Sequence, residues 1–247
     1  MGSVHVRFGA ELSRWWSAVS SVTSSDDGRQ VLTGVCVECG DVWSPVFGDF
    51  VGVTLTATDS YRLVTVGVPL AGGYPSDDGP AWNGEPGCVL VPGKAVKIPA
   101  RGALRLEWEH DGAGELDPVD VHLSVRKAGT SSVTTVSSIG GHFPNYRNLM
   151  PSGAELGKCE PVAVNPVYLG QILTAFGKAG GSDRPVRYVS QPSDMKPGRW
   201  DMVGPDNGYA ASAILMPVRV PDSGGSLGGP LGHLPMMARD DSEAVAS

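Results

Sequence analysis

The sequence predicts an α+β fold in which a βαβββ unit occurs three times. Glycine and proline are abundant, at 34 and 20 of 247 residues, which favours many strands joined by turns over a helical bundle. Short segments with the alternating pattern of strands outnumber the segments with helical spacing. At 41% hydrophobic residues, the chain can form one large or two small domains with real cores.

The first predicted unit begins with a strand at residues 4–9 and continues into a helix, which the Ser-Asp-Asp-Gly-Arg run at 25–29 ends. The helix is predicted from apolar residues at helical spacing, namely Leu12, Trp15, Trp16, Val19 and Val22. Three alternating segments follow and complete the unit, at 31–38, 52–58 and 62–70.

The second predicted unit repeats this order in a weaker form. It follows a loop at 71–87 that is rich in glycine, proline and aspartate. A strand at 88–91 leads into a short helix near 94–98, which Pro99 cuts short. Three strands are predicted next, near 104–109, 119–126 and 132–138, and a connector follows at 143–151.

The third predicted unit contains the best-marked helix of the chain. After a strand at 161–164, Asn165 is the expected N-cap and Pro166 the first helical residue. One apolar face comprises Leu169, Ile172, Leu173 and Phe176, and the pair Gly180 and Gly181 ends the helix. Strands are predicted near 186–190, 200–204 and 209–220, and residues 221–247 have the composition of a disordered tail.

The bulk properties limit the functional classes. A net charge of −7 argues against nucleic-acid binding by the surface as a whole, because phosphate affinity comes from cations on the contacting surface. We expect a soluble, cytoplasmic protein, because the chain has no apolar run of about 18 residues and its start lacks a signal peptide's apolar core. The four cysteines suit a reducing compartment.

No pattern for catalysis or metal binding stands out. The five histidines do not form a ligand-spaced pair, and no G-x-S-x-G, P-loop or H-E-x-x-H segment occurs. Cys36 and Cys39 have zinc-ligand spacing, but a single such pair more often represents two thiols at a strand end. We therefore predict no enzyme, no metal and no cofactor.

Four segments occur in one order along the chain: TATDSYRLV at 56–64, GGHFPNYRNLMP at 140–151, VNPVYLGQIL at 164–173 and ILMPVRV at 214–220. Taken alone, the first predicts a β-hairpin around a polar turn. The last predicts a terminal strand with an internal proline, which either lies at an edge or ends its ladder at the proline. No hydrophobic pattern requires all four together. As an ordered set they resemble the sliding clamp of bacterial DNA replication, the β subunit of DNA polymerase III.

The resemblance implies a DNA-clamp fold, with helices lining a central hole and antiparallel sheets outside. Residues 1–142 resemble the family's middle domain and 161–220 the latter half of its last domain, joined by a connector at 143–160 and followed by the tail at 221–247. The family's first domain has no counterpart, so the chain resembles a shortened form, such as a phage or other mobile element encodes. Clamps act without catalysis by tethering a polymerase topologically.

The resemblance also implies a groove for short partner peptides with leucine and phenylalanine side chains. The matching residues are Thr58, Tyr61, Arg62, Leu63, Pro144, Arg147, Asn165, Tyr168, Met216, Pro217, Val218 and Arg219. For Leu63, Met216 and Val218, a place in the core is the alternative. The chain departs from the family at Ser60 and Tyr61, where glycine and histidine are usual, and at Asn145 and Asn148.

The implied partners are duplex DNA, encircled without sequence specificity, and the polymerase and clamp loader. Candidate DNA-facing residues are Arg14, Arg29, Gln30, Lys94, Lys97, Arg101 and Lys178, although a solvated helix face is an equal alternative for each lysine. Because clamp rings use twelve βαβββ units, three per chain predict a homotetramer. The alternative function is a clamp-derived adaptor that keeps the peptide groove but does not encircle DNA.

Overall fold

Sixteen helices and strands occur in the part of the chain that the computed structural model describes, in an order that follows the predicted units. The structure describes residues 2–70, 81–94, 102–110, 118–127, 130–150, 164–181, 184–189, 197–204 and 208–218. The predicted tail at 221–247, most of the predicted helix near 94–98 and all but Val164 of the predicted strand at 161–164 lie outside these ranges.

Two α-helices, two 3-10 helices and twelve strands occur in the described residues. The α-helices are α1 (Ala10–Ser20) and α2 (Pro166–Gly180), and the 3-10 helices are Asp27–Thr33 and Arg147–Leu149. The first six strands are β1 (Gly2–Phe8), β2 (Gly34–Ser44), β3 (Gly48–Thr58), β4 (Arg62–Pro69), β5 (Ala81–Trp82) and β6 (Gly87–Pro92). The others are β7 (Ala103–His110), β8 (Asp120–Lys127), β9 (Thr130–Ser137), β10 (Arg187–Val189), β11 (Gly198–Val203) and β12 (Ala210–Leu215).

The strands form two antiparallel sheets, and each sheet contains strands from more than one predicted unit. One sheet has the order β5-β1-β7-β8-β9, and the other has the order β10-β11-β12-β4-β3-β2-β6. Strand β1 therefore pairs with β7 of the second unit, and β6 of the second unit pairs with β2 of the first. This exchange ties the first two units together through backbone hydrogen bonds.

The inward faces of both sheets share one hydrophobic core with the two α-helices. Alternate residues of β1, Val4, Val6 and Phe8, are fully buried, as the period of two in a half-buried strand requires. The same cluster includes residues of β2, β3, β4, β7, β8 and β12. In α1, Trp15 and Trp16 are completely buried.

The two α-helices pack on each other within this core. The ring of Trp15 on α1 meets Phe176 on α2 edge-on, with centroids 5.7 Å apart, and meets Tyr209 at 5.3 Å. Such edge-to-face pairs add to the free energy of apolar burial. The predicted α1 face is confirmed for its two tryptophans and Val19, which are fully buried. On α2, Phe176 is fully buried, but the predicted core residue Leu173 is 42% exposed.

Several predicted boundaries are wrong for identifiable reasons. Helix α1 ends at Ser20, and the 25–29 run does not end it but leads into the 3-10 helix, with Asp26 accepting a hydrogen bond from the Gly28 N–H. The strand predicted from residue 31 therefore begins at Gly34. The last predicted strand is not at an edge, because β12 pairs with β11 on one side and with β4 on the other. It ends its ladder at Leu215, two residues before Pro217, which has no N–H to donate.

The α+β fold with antiparallel sheets is confirmed. Strands β10, β11 and β12 join the sheet of the first unit, because β12 pairs with β4 along six residues. The domain boundaries at 142/143 and 160/161 stay predictions. Neither described helix, with 11 residues in α1 and 15 in α2, has the length and apolar character that a bilayer crossing requires.

Candidate functional site

The β3–β4 hairpin is organised by its own polar side chains. The Asp59 carboxylate accepts hydrogen bonds from the backbone N–H groups of Tyr61 and Arg62, both at 3.0 Å, and forms an ion pair with the Arg62 guanidinium. The Thr58 hydroxyl donates to the Arg62 carbonyl at 2.8 Å. These short-range bonds satisfy the turn's backbone and turn the Tyr61 ring outward, where it is 54% exposed.

Three segments that are distant in sequence meet at this hairpin. The Tyr61 ring stacks on Tyr168 of α2, with centroids 6.1 Å apart. Arg62 lies 4.8 Å from the centre of the Tyr168 ring and donates a hydrogen bond to Gln171. The Met216 N–H, just after β12, donates to the Tyr61 carbonyl at 2.9 Å. The structure therefore brings four of the predicted groove residues together.

The start of α2 fixes the position of Tyr168. Asn165 is the N-cap, and its side-chain oxygen accepts from the N–H groups of Val167 at 2.9 Å and Tyr168 at 3.4 Å. Pro166 occupies the first helical position, where no hydrogen-bond donor is needed. The predicted cap is therefore confirmed, and its role is to anchor the helical turn that carries Tyr168.

Leu63 does not line an open groove. It is 2% exposed and belongs to a small cluster with Tyr146, Met150 and Ile214, and it is directly opposite Ile214 in the β4–β12 pair. The sequence left a groove position and a core position open for Leu63, and the structure shows the core position. Met216 and Pro217 are half-buried.

The connector is anchored to the second sheet by a polar network. The Tyr146 hydroxyl donates to Glu38 Oε2 at 3.1 Å and accepts from the Thr56 hydroxyl at 3.2 Å. Burial, together with the nearby Glu38 charge, raises the pKa of Tyr146 well above its ordinary value. Arg147 pairs with Glu38 at 3.4 Å, and Pro144 is exposed. Both predicted connector residues therefore lie at the surface, and Arg147 takes part in this network.

A groove of about 550 Å³ lies between α1 and α2. Its lining includes Arg14 from α1 and Lys178 from the last turn of α2, both exposed, together with small and polar residues. Lys178 near the helix C-terminus is favoured by the helix dipole. Of the predicted DNA-facing residues, these two are brought to one surface.

The other predicted DNA-facing residues lie elsewhere or outside the described ranges. Arg29 donates to the Ser60 hydroxyl at 3.1 Å and therefore lies beside the hairpin. Gln30 and Lys94 are exposed. Lys97, Arg101 and the predicted groove residue Arg219 lie outside the described residues, and Val218 is 47% exposed.

The Cys36 and Cys39 pair does not form a ligand pair. Three residues apart on β2, their side chains point to opposite faces of the strand, and Cys39 belongs to the main core. The Cys36 sulfur instead lies 3.7 Å from that of Cys88 on β6, which with burial raises the pKa of Cys36. No group of three or more metal-ligating side chains occurs among the described residues.

Three residues that contribute to this site were not among the residues predicted from the sequence. Gln171 lies one turn after Tyr168 within the third motif, so helical spacing alone places it on the same face. Tyr146 lies inside the second motif and was identifiable from it. Glu38 had no sequence signal, because its role depends on the connector folding back over β2.

No protein-family model and no curated protein sequence matches the chain. The fold is nevertheless similar to solved structures of bacterial clamps. For the sliding clamp of Pseudomonas aeruginosa bound to griselimycin, the TM-score is 0.57 at 14% identity, over 87% of this chain and 65% of that chain. For the Helicobacter pylori β clamp in complex with diflunisal, it is 0.57 at 11% identity, over 88% and 66%.

The β subunit of DNA polymerase III from Thermotoga maritima gives a TM-score of 0.52 at 12% identity, over 88% of this chain and 66% of that chain. This chain thus spans just under two thirds of the length of each of these clamps. At such identities the similarity is one of fold, and it confirms the fold that the ordered motifs imply. The chain has the fold of the DNA polymerase III β-subunit sliding clamps.

Proposed function

We propose that this chain is a DNA sliding clamp: a non-catalytic processivity factor that encircles duplex DNA and holds a polymerase and a clamp loader through a peptide groove. The clamp fold supports this proposal. A clamp of this kind acts in the bacterial cytoplasm, where replication takes place. The single observation that carries the proposal is the convergence of Tyr61, Tyr168 and Met216 from three separate motifs.

The groove at the hairpin has the chemistry that an apolar peptide requires. The half-buried Met216 supplies an adaptable apolar surface, and the exposed Tyr61 adds an aromatic face. Arg62 is engaged by Asp59 and Gln171, so it stiffens the site rather than remaining available to a ligand. We therefore assign the apolar contacts of a partner peptide to Tyr61, Tyr168 and Met216.

The surface between α1 and α2 supports the DNA-facing role. Arg14 and Lys178 line the same groove in a protein whose net charge is −7, so the positive charge is local. A clamp needs cations only where the duplex passes, because it holds DNA by topology rather than by affinity. We assign non-specific phosphate contact to these two side chains.

Assembly into a closed ring requires several copies of the chain. Strand β9, TSSVTTVS, has no charge or proline, its residues are exposed or half-exposed, and one edge has no partner strand among the described residues. An open edge of this kind is a template for pairing with another chain. With three of twelve units in each chain, we propose a head-to-tail homotetramer, since a heterologous contact that closes gives a ring.

Retention on circular DNA tests the encirclement. The protein should remain on nicked circular DNA and be released after linearisation, and the double variant Arg14→Glu, Lys178→Glu should weaken retention. Arg105→Glu with Arg126→Glu is the matched control, because both arginines are exposed on the five-stranded sheet and the charge change is equal. Light scattering should give four times the chain mass. A strict monomer at micromolar concentration without topology-dependent retention would leave only the adaptor function.

Peptide binding tests the groove. A fluorescent peptide of the Gln-x-x-Leu-Phe type should bind weakly, because a short flexible ligand loses entropy on binding. The variant Met216→Glu should abolish binding without unfolding the protein, since Met216 is only half-buried. Val51→Glu on β3 is the control, because Val51 is 51% exposed and lies near the end of β3 that is opposite to the hairpin turn. Unchanged affinity in the Met216 variant would remove the groove from the proposal. Leu63 is unsuitable for such a test, because a buried charge would destabilise the fold.

A further inference from the structure

The tip of the β3–β4 hairpin holds one residue in an uncommon backbone conformation. Ser60 has φ +78°, and it is the only non-glycine residue with a positive φ among those that the structure describes. The Cβ atom of an L-residue is crowded in this left-handed region, which glycine enters freely. Ser60 therefore needs interactions that hold it there.

Two hydrogen bonds hold Ser60. Its N–H donates to the Thr58 hydroxyl oxygen at 3.2 Å, within the hairpin. Its own hydroxyl accepts from the Arg29 guanidinium at 3.1 Å, across 31 residues of sequence. Arg29 belongs to the 3-10 helix Asp27–Thr33 and is itself oriented by an ion pair with Asp26 at 3.2 Å. The Arg29 side chain, which lies outside the hairpin, thus stabilises the turn at Ser60.

The residue after Ser60 carries the contacts of the groove. The Tyr61 ring lies on Tyr168, with 28° between the ring planes, and its carbonyl accepts from Met216. A change in the backbone angles of Ser60 moves Tyr61, whose ring and carbonyl make these two contacts. The bond from Arg29 therefore lies one residue away from the groove surface.

We propose that Arg29 is a positioning residue of the peptide groove, which holds Ser60 in the left-handed turn and thereby keeps Tyr61 against Tyr168. This inference rests on the proposed groove. The resemblance implies that Arg29 faces DNA, whereas this inference assigns Arg29 to partner binding. Because the Arg29 side chain is 51% exposed, its effect on peptide affinity is modest. The effect acts through the hydrogen bond to Ser60.

A double-mutant cycle on peptide affinity tests this assignment. Arg29→Ala should weaken binding of the Gln-x-x-Leu-Phe peptide about two- to fivefold, the range for one partly exposed hydrogen bond. Ser60→Gly alone should bind nearly as well as the wild type, because glycine adopts the positive φ without a brace. In the Ser60→Gly background, Arg29→Ala should then have almost no effect. Arg126→Ala controls for the loss of one exposed positive charge.

The outcomes separate this inference from the groove itself. If the wild-type protein binds no peptide, the groove and this inference both fail. If the wild type binds but Arg29→Ala binds equally well, or loses the same factor with and without Ser60→Gly, only this inference fails. Retention on circular DNA should be unchanged in Arg29→Ala, and a loss of retention with intact peptide binding would make Arg29 a DNA contact.

Discussion

Replacing Tyr146 by phenylalanine tests how the connector is anchored to the second sheet. The change keeps the buried ring, which is 4% exposed, and removes only the hydroxyl. Glu38 then loses one donor but keeps those of Thr54 and Arg147. Thr56 keeps its partner Thr65 at 2.8 Å. The perturbation is therefore confined to the two hydrogen bonds of one hydroxyl, with Glu38 and with Thr56.

The expected loss follows from the charge of the acceptor. A hydrogen bond to a charged group contributes about 1.5–3 kcal/mol. Because the Glu38 side chain is 24% exposed, water replaces part of what is lost. We therefore expect the Tyr146→Phe variant to be less stable at pH 7 by about 2 kcal/mol.

The same hydroxyl makes this difference dependent on pH. Burial and the Glu38 charge raise the folded-state pKa of Tyr146 above its ordinary value of about 10. Below pH 10 both states of the wild type keep the proton, and its stability is unaffected. Above about pH 10 only the unfolded chain loses it, so wild-type stability falls by about 1.4 kcal/mol per pH unit. The Tyr146→Phe variant lacks this loss, so the free energies of unfolding of the wild type and the variant should become equal at about pH 11.5.

Urea unfolding followed by tryptophan fluorescence measures both stabilities between pH 7 and pH 11.5. Tyr61→Phe is the control, because the Tyr61 side chain is more than half exposed. Loss of its hydroxyl should change the free energy of unfolding by less than about 0.5 kcal/mol. If the difference in stability between the wild type and Tyr146→Phe stays constant up to pH 11.5, the folded protein does not keep the Tyr146 hydroxyl protonated, and this reasoning is wrong. Equal stabilities at pH 7 would refute the hydrogen bond to Glu38.

Three further changes have defined outcomes. Asp201→Asn should destabilise the fold by about 3–5 kcal/mol in urea unfolding, because it breaks a buried ion pair with Arg199 at 2.9 Å; a loss below about 1 kcal/mol would contradict this. Gly52→Ala should prevent native β3–β4 pairing, since its Cβ would lie within 2.2 Å of the Val68 carbonyl oxygen; a wild-type circular dichroism spectrum and midpoint would argue against it. Asn165→Ala should cost about 1 kcal/mol by removing the α2 cap, whereas an unchanged unfolding midpoint would show that the cap is replaceable.

Features with local causes were predictable from the sequence. The start of α2 depends on Asn165 and Pro166, which act on backbone groups within three residues, and its end depends on Gly181, which has φ +97°. The β3–β4 hairpin is likewise determined by the polar turn between two alternating segments. Such elements follow from the sequence because the interactions that define them span a few residues.

The tertiary structure decided which of these elements meet. Leu63 is buried because Tyr146 and Met150 fold over it from more than 80 residues away, and no periodicity encodes that cover. Leu173 has the spacing of a core residue yet is exposed, because the apolar stripe of α2 is wider than the surface that covers it. Arg29 reaches Ser60 only because a 3-10 helix occupies the place of the predicted strand start. Contacts between distant segments depend on the whole fold, and no single stretch of sequence specifies them.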